Sequence, residues 1–262
     1  MPSVLDSEQF HIEYKEDSVS DALLWESHCH AEFEMISVLA GDVSILLEGR
    51  TYRLTEGRTV ISPPLRYQML YANRKGLYQR VTARFPVTAI PDVLKPHFTV
   101  EGAPPSVFPS EIPQELRRIV RKGAHGFYAP LAESMMVRLF YDAVTADREA
   151  HPSEIDETLG MILSYVDAHI SEPITLSSVA AHVARSESSV SHLFREKMGI
   201  SPKQYVLRKK LALAEQLIRN GVPPTAAAVQ IGYDNYGNFY RMYRKHLSAS
   251  PSDGCKEKRA ED

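Results

Sequence analysis

The sequence predicts a two-domain α+β chain, with an N-terminal antiparallel β-barrel, two helices after it, and an all-α C-terminal half. Three observations point there. Short runs rich in Val, Ile, Tyr and Thr fill residues 33–86, broken by Gly41, Gly49 and Gly57 at eight-residue intervals, which is the spacing of a tight antiparallel meander or small barrel. From about residue 111 the apolar period lengthens to that of a helix. From Glu157 onward every apolar stripe is helical, and a pattern recurs after 48 to 49 residues: Ala180 to Ala228, Phe194 to Tyr243, Pro202 to Pro251.

The chain has 262 residues, of which 44% are hydrophobic and 24% charged. That is enough for two ordinary domains with buried cores, and it excludes a chain disordered throughout. The N-terminal stretch is charged early and lacks a leader's apolar segment, and no run approaches the roughly 18 apolar residues of a membrane span. A cytoplasmic protein with no membrane partner is expected. Two cysteines, Cys29 and Cys255, make no disulfide framework and fit a reducing compartment. The net charge of −3 is unevenly spread: residues 1–154 carry 16 Lys and Arg against 21 Asp and Glu, whereas residues 173–246 carry 11 against 4. Basicity concentrated in one segment of a near-neutral chain suits a module that binds a polyanion.

Taken in order, residues 1–110 form the barrel, with Trp25 and Tyr67 as core or ring-stacking residues. Residues 111–150 form two amphipathic helices and a linker. In the first helix Leu116, Ile119 and Val120 share a face that ends near Gly123 and Gly126. Pro130 opens the second, where Leu131, Met135, Leu139 and Val144 line one side and Met136 and Phe140 widen it. A face that wide suggests pairing of two subunits as well as capping of the barrel, so a homodimer is expected. The stretch 150–154 reads as linker, 155–252 as the helical domain and 253–262 as a polar tail.

Within 155–252, Leu159, Ile162, Leu163, Val166 and Ile170 make one stripe before Pro173. Thr175 caps a short helix through Val183, Ser186 caps the next, Gly199 stops it, and Ser201-Pro202 opens a long helix closed by Gly221. A short helix, a tight turn and a second capped helix is the arithmetic of a helix-turn-helix, and here it occurs twice. The second helix of such a unit projects its exposed face into the major groove.

The segment from Thr175 to Ile218, followed by Ala226 to Pro251, resembles the double helix-turn-helix DNA-binding domain of the AraC/XylS family. The likeness rests on Ala180-x3-Ala184-x-Ser186, on Leu193-Phe194-x4-Gly199-x-Ser201-Pro202-x2-Tyr205, and on Ile231-Gly232-Tyr233-x6-Tyr240-Arg241. It implies a sequence-specific transcription regulator of bacterial type, an activator, with double-stranded DNA and RNA polymerase as partners and a small effector in the N-terminal barrel. By position, the first reading helix would present Ser188, Ser191, His192 and Arg195, and the second Tyr236, Gly237, Tyr240 and Arg241, with Arg244 and Lys245 placed for phosphates. The sequence departs from the family pattern at Ala227, Gly237 and Ser248, and ends in Pro251-Ser-Asp-Gly-Cys255.

His28-x-His30-x3-Glu34-x6-Gly41 resembles the first motif of the cupin barrels, and alternate residues on a strand put His28 and His30 on one side. The second motif, Gly57-x5-Pro63-Pro64, has Leu65 in place of its second Gly and Gln68 where a further His ligand belongs. Losing that ligand favours a metal-free effector site made of His28, His30, Glu34 and Gln68, with Gln79 on a later strand and no cofactor. If a metal is present, His28, His30 and Glu34 are its ligands. Catalytic residues are not assigned, since the nucleotide, phosphate and nucleophile motifs G-x-G-x-x-G, the P-loop, G-x-S-x-G and C-x-x-C are missing. The alternative is a metal-dependent cupin enzyme carrying a DNA-binding tail.

Overall fold

The glycine spacing of the N-terminal half is realised as consecutive hairpins. The computed structural model describes residues 3–19, 28–100, 105–122, 128–146, 153–247 and 249–252. In it, β1 (Ser3–Asp6), β2 (His11–Val19) and β3 (His28–Cys29) precede β4 (Phe33–Ala40), β5 (Asp42–Leu47), β6 (Arg50–Thr55), β7 (Arg58–Ser62), β8 (Tyr67–Ala72), β9 (Gly76–Phe85) and β10 (Ser106–Pro109). Gly41, Gly49 and Gly57 fall at the three turns between β4 and β7, all with positive φ. At the β5–β6 turn Glu48 and Gly49 have φ 45° and 78°, the pair of positive values whose twist suits a two-residue hairpin.

The strands pair antiparallel in two sheets, β1-β2-β9-β4-β7-β10 and β3-β8-β5-β6. Alternation along β4 divides the side chains: Phe33, Met35 and Leu39 point to one core, Ile36 and Val38 to another. The second core lies between the sheets, joining Ile36, Val38, Val60 and Tyr78 to Val43, Ile45, Leu54 and Leu70. Among the described residues no strand pairing joins the edges of one sheet to those of the other. The expected barrel is therefore an open pair of facing sheets.

The outer face of the six-stranded sheet is covered by helices. After the short α1 (Lys95–Thr99), whose Phe98 the sequence reading did not place, come α2 (Ile112–Lys122) and α3 (Tyr128–Thr145). Leu116, Ile119 and Val120 of α2 and Ala132, Met136, Leu139, Phe140 and Ala143 of α3 join Phe10, Phe33 and Phe85 in one core. This corrects the expected subunit face. Met136, Leu139 and Phe140 have no exposed surface, and Met135 packs against the same core. The large apolar residues of α3 that reach solvent are Leu131, Val137 and Tyr141, at 40%, 42% and 55% exposure on the opposite side. Tyr67 is fully buried. Trp25, Gly123, Gly126 and most of the proposed linker lie outside the described residues.

The chain divides into two units, 1–153 and 154–262. The second consists of α4 (Glu157–Ala168), α5 (Leu176–His182), α6 (Glu187–Met198), α7 (Pro202–Arg219), α8 (Pro224–Gln230) and α9 (Tyr236–Leu247). Its boundaries follow local chemistry. Asp156 caps α4 by accepting from Leu159 N at 3.0 Å. Thr175 with Ser178, and Ser201 with Gln204, form capping boxes at the starts of α5 and α7. Gly199 ends α6 at φ 71°.

Candidate functional site

In the N-terminal unit, strand register gathers the polar residues. Gln68 lies opposite His28 in the β3–β8 pair, and Glu34 lies between Ser62 on β7 and Arg84 on β9. Glu34 shares the inter-sheet side of β4 with Ile36, and Gln68 that of β8 with Leu70. His30 is fixed just beyond β3 because its carbonyl accepts from Leu65 N at 2.8 Å. Leu65 itself sits at φ 61°, the left-handed conformation that a glycine would adopt more easily. The substitution at the second cupin-like motif thus keeps the backbone and puts strain on a side-chain-bearing residue.

The outcome is a compact cluster. His30 Nε2 lies 3.4 Å from Glu34 Oε1, and His28 Nε2 lies 3.7 Å from Glu34 Oε2. Gln68 Nε2 donates to His28 Nε2 at 2.9 Å and also to Glu34 Oε2. One donor atom each from His28, His30 and Glu34 falls within 4.8 Å of the others. Burial alone would raise the Glu34 carboxyl, but the two imidazoles beside it outweigh that and hold the group well below the usual carboxylate range. At and beside this cluster, His30 Nε2, Gln68 Oε1 and Ser62 Oγ are buried with no hydrogen-bond partner among the described residues. Buried polar atoms are normally satisfied, so such a concentration marks a place built for something else.

Gln79 does not join this cluster. It donates to Glu16 Oε2 at 2.6 Å, its cross-strand neighbour on β2. By parity with Val81 and Ala83 it belongs to the helix-covered side of the sheet. Sequence reading overlooked Ser62, since one serine at a strand end carries no local signal.

In the C-terminal unit the sequence repeat is a repeat of hydrogen bonds. Val183 N to Val179 O, Ala184 N to Ala181 O and Arg185 N to Ala180 O measure 3.2, 3.2 and 3.0 Å; Ile231 N to Ala227 O, Gly232 N to Val229 O and Tyr233 N to Ala228 O measure 3.1, 2.9 and 3.0 Å. The turn residue is left-handed in both, Ala184 at φ 50° and Gly232 at φ 78°. The second helix then starts on a side-chain cap, Ser186 accepting from Ser189 N at 3.2 Å and Asn235 from Asn238 N at 3.0 Å.

On α6, Val190, Phe194 and Met198 are buried, while Ser188, His192 and Arg195 are exposed and Ser191 is half-buried. These four recur at helical intervals along one side. On α9, Phe239 and Tyr243 are buried; Tyr236, Gly237, Arg241, Arg244 and Lys245 are exposed and Tyr240 is half-buried. Tyr236, Tyr240 and Arg244 follow one another along the helix, the two rings tilted by 43° with centroids 6.3 Å apart and the guanidinium carbon 5.9 Å from the Tyr240 ring. Arg241 donates to Asn238 Oδ1. A Cβ on Gly237 would come within 3.2 Å of the capping Asn235 Oδ1, so the small residue protects the cap. Ala227 is buried in the same cluster as Phe239, which fills the space.

Two lysines of the basic segment 173–246 are buried. Lys209 Nζ donates to Asp167 Oδ1 at 2.5 Å, tying α7 to α4. Lys210 Nζ donates to the carbonyls of Glu172 and Ile231, both at 2.7 Å, and burial lowers its pKa.

Residues 179–255 match a protein-family model described as a helix-turn-helix domain. Over 99 residues the chain is 33% identical to the "Probable transcriptional regulator LumQ" of Photobacterium leiognathi, covering 37% of this chain and 40% of that protein. Over 133 residues it is 30% identical to the arabinose operon regulatory protein of Escherichia coli K12, covering 49% of this chain and 46% of the relative. The matched region thus spans less than half the length of these curated relatives. A crystal structure of ToxT from Vibrio cholerae O395 aligns over 96% of this chain and 98% of that one, with 11% identity and a TM-score of 0.44. Among the described residues no helix is long and apolar enough to cross a membrane. The turn geometry repeated at 48 residues and the family match together identify the C-terminal unit as a helix-turn-helix domain in which the turn occurs twice.

Proposed function

We propose that this chain is a sequence-specific DNA-binding transcription regulator whose N-terminal unit holds a small ligand that adjusts DNA binding. The observation that carries this reading is the duplicated turn geometry, which ends each time in a capped helix with an exposed polar face. In the first reading helix Ser188, Ser191, His192 and Arg195 supply base-edge donors and acceptors; Arg195 is suited to a guanine. In the second, Tyr236 and Tyr240 supply flat contact area beside Gly237 and Arg241, and Arg244 and Lys245 reach phosphates. The ligand site is the His28, His30, Glu34 and Gln68 cluster. The protein acts by binding, without a reaction of its own.

The test is selection of preferred duplexes from a random pool by the full chain, followed by binding at increasing salt. Affinity is expected to fall steeply between about 50 and 200 mM salt as counterions return to the phosphates. Affinity indifferent to salt, or a pool without enrichment, would overturn the reading.

We also propose a homodimer, with the contact moved to the outward side of α3, where Leu131, Val137 and Tyr141 are exposed. Two linked DNA-binding units gain affinity on paired half-sites without any new contact. In sedimentation, Tyr141→Asp combined with Leu131→Asp should give a folded monomer. A folded variant that stays dimeric would place the contact elsewhere.

A further inference from the structure

We propose that helix α2 of the N-terminal unit docks on the phosphate backbone of the duplex bound by the chain, through Arg117, Arg118, Arg121 and Lys122. This rests on the reading of the chain as a DNA-binding protein and adds to it a second contact, one indifferent to base sequence.

The end of α2 reads Arg117-Arg118-Ile119-Val120-Arg121-Lys122, four cations in a half of the chain that carries 16 Lys and Arg against 21 Asp and Glu. Leu116, Ile119 and Val120 turn one side of the helix to the core. Arg117 with Arg121, and Gln114 with Arg118 and Lys122, therefore come round at four-residue intervals on the other side. These five side chains line an open groove of about 410 Å³. Arg118, Arg121 and Lys122 are exposed and Arg117 is half-buried. Among the described residues none of the four cations forms an ion pair. Arg117 and Arg121 are carried on the ring of Tyr14, their guanidinium carbons 5.1 and 5.9 Å from its centre, and Lys122 Nζ lies 5.9 Å from the centre of the Tyr128 ring. Glu16, whose carboxylate lies in the field of Arg117 and Arg121, accepts at Oε2 from the Tyr14 hydroxyl and from Gln79 Nε2, at 2.8 and 2.6 Å. The negative end of the helix accounts for Arg121 and Lys122 in its last turn, but not for Arg117 and Arg118 just before it.

The chemistry of the groove selects the partner. A protein that docks specifically does so around a large apolar or aromatic anchor, and the exposed side of α2 offers none; Tyr14, beneath the guanidinium groups, is itself buried. A single small anion is held well by donors fixed in a partly dry site, whereas three of these cations end in water on long flexible stems. A polyanion suits them. Each phosphate neutralised releases counterions, and the gain accumulates over several exposed cations without exact geometry. From Arg117 to Lys122 the helix rises about 7.5 Å, over which one strand of a duplex presents about two phosphates. The same chain carries the helix-turn-helix domain, so a duplex bound there is available to the N-terminal unit at high effective concentration. A contact too weak to hold DNA alone then adds to the whole.

The experiment uses the full chain and a duplex obtained by the selection described above, left long at both ends, with affinity measured over a range of salt. The Arg118→Ala, Arg121→Ala, Lys122→Ala variant should bind about 10-fold more weakly near 50 mM salt, with a salt slope shallower by about 2. Its order of preference among single-base variants of the duplex and its thermal midpoint should stay those of the parent. Arg118→Lys with Arg121→Lys should keep parental affinity, since a phosphate accepts a point charge as well as a fork. Arg50→Ala, Arg74→Ala, Lys75→Ala, which removes three exposed cations elsewhere in the same unit, should also stay close to the parent. Parental affinity and slope in the α2 alanine variant would overturn the proposal and leave this face to an acidic protein. An equal loss in the control variant would overturn it as well, by reducing the effect to net charge. A folded parent that binds no duplex overturns the DNA-binding reading together with this inference, whereas a parent that binds and an α2 variant that binds equally well overturn this inference alone.

Discussion

In the first helix-turn-helix the turn is made at Ala184, φ 50°, between a helix capped by Thr175 and Ser178 and one capped by Ser186. In the second it is made at Gly232, φ 78°, between a helix that starts on Pro223-Pro224 with no side-chain cap and one capped by Asn235. The corresponding buried positions are Val179 and Val190 in the first and Ala227 and Phe239 in the second. The backbones agree hydrogen bond for hydrogen bond, yet the two units are held by different means. The first has hydroxyl caps on both helices, Phe194 packed on Tyr205, and a strained alanine at its turn. The second has an aromatic cluster of Phe239, Tyr243 and Tyr233, a glycine at its turn and a buried lysine on the turn carbonyl. The exposed faces diverge in the same way: small polar groups and one arginine on α6, neighbouring tyrosines and a basic end on α9. A duplicated fold does not require duplicated chemistry.

Substitutions can separate the two. The largest expected effect is on packing. Phe239→Ala should cost about 3–5 kcal/mol, whereas Val190→Ala at the equivalent position should cost about 2. Denaturant unfolding of the isolated midpoints would decide, and equal losses would mean that the second unit is not organised around its aromatic residue. Next is Gly232→Ala. A Cβ there would lie 2.9 Å from the Ser171 carbonyl oxygen and 3.1 Å from Lys210 Nζ. Added to left-handed strain, that predicts a loss of about 2–3 kcal/mol, read as a fall in the thermal midpoint. Third are the reading faces. Arg195→Ala should flatten preference at one base position by about 1–3 kcal/mol, while Arg244→Ala should weaken all duplexes alike and shallow the salt slope. Competition among single-base variants of a selected duplex separates the two outcomes. The smallest is a gain: Ala184→Gly relieves a left-handed alanine and should stabilise by about 0.5–1 kcal/mol. A loss on this change would show that Ala184 packs better than its conformation suggests.

What could be read from the sequence was local. The helix starts at Thr175, Ser186 and Ser201, the 48 to 49-residue repeat and the His28-x-His30-x3-Glu34 spacing each follow from residues within a turn or a strand of one another. What escaped needed partners distant in the chain. Gln68 and Gln79 look alike as polar strand residues, and only register puts one beside His28 and the other beside Glu16. Both sides of α3 carry large apolar residues, so periodicity could not tell that Met136 and Leu139 face the sheet while Val137 and Tyr141 face water. Lys209 and Lys210 count as surface charge in any composition argument, because lysine is seldom buried without a partner; their partners, Asp167 and two carbonyls, come from elements far away in sequence.

Lys210 has a mechanical consequence. Its ammonium grips the carbonyl of Glu172, just past α4, and that of Ile231, inside the second turn. Each such charge-assisted bond resists separation by about 1.5–3 kcal/mol. α4 is the first helix after Ser153 in chain order. A tug on the end of α4 is therefore passed by this strut to the second turn at Ile231, and also through the Tyr165–His182 ring contact to α5 of the first unit. The half of the domain more distant along the chain is thus tied as directly to the end of α4 as the half that follows it in sequence.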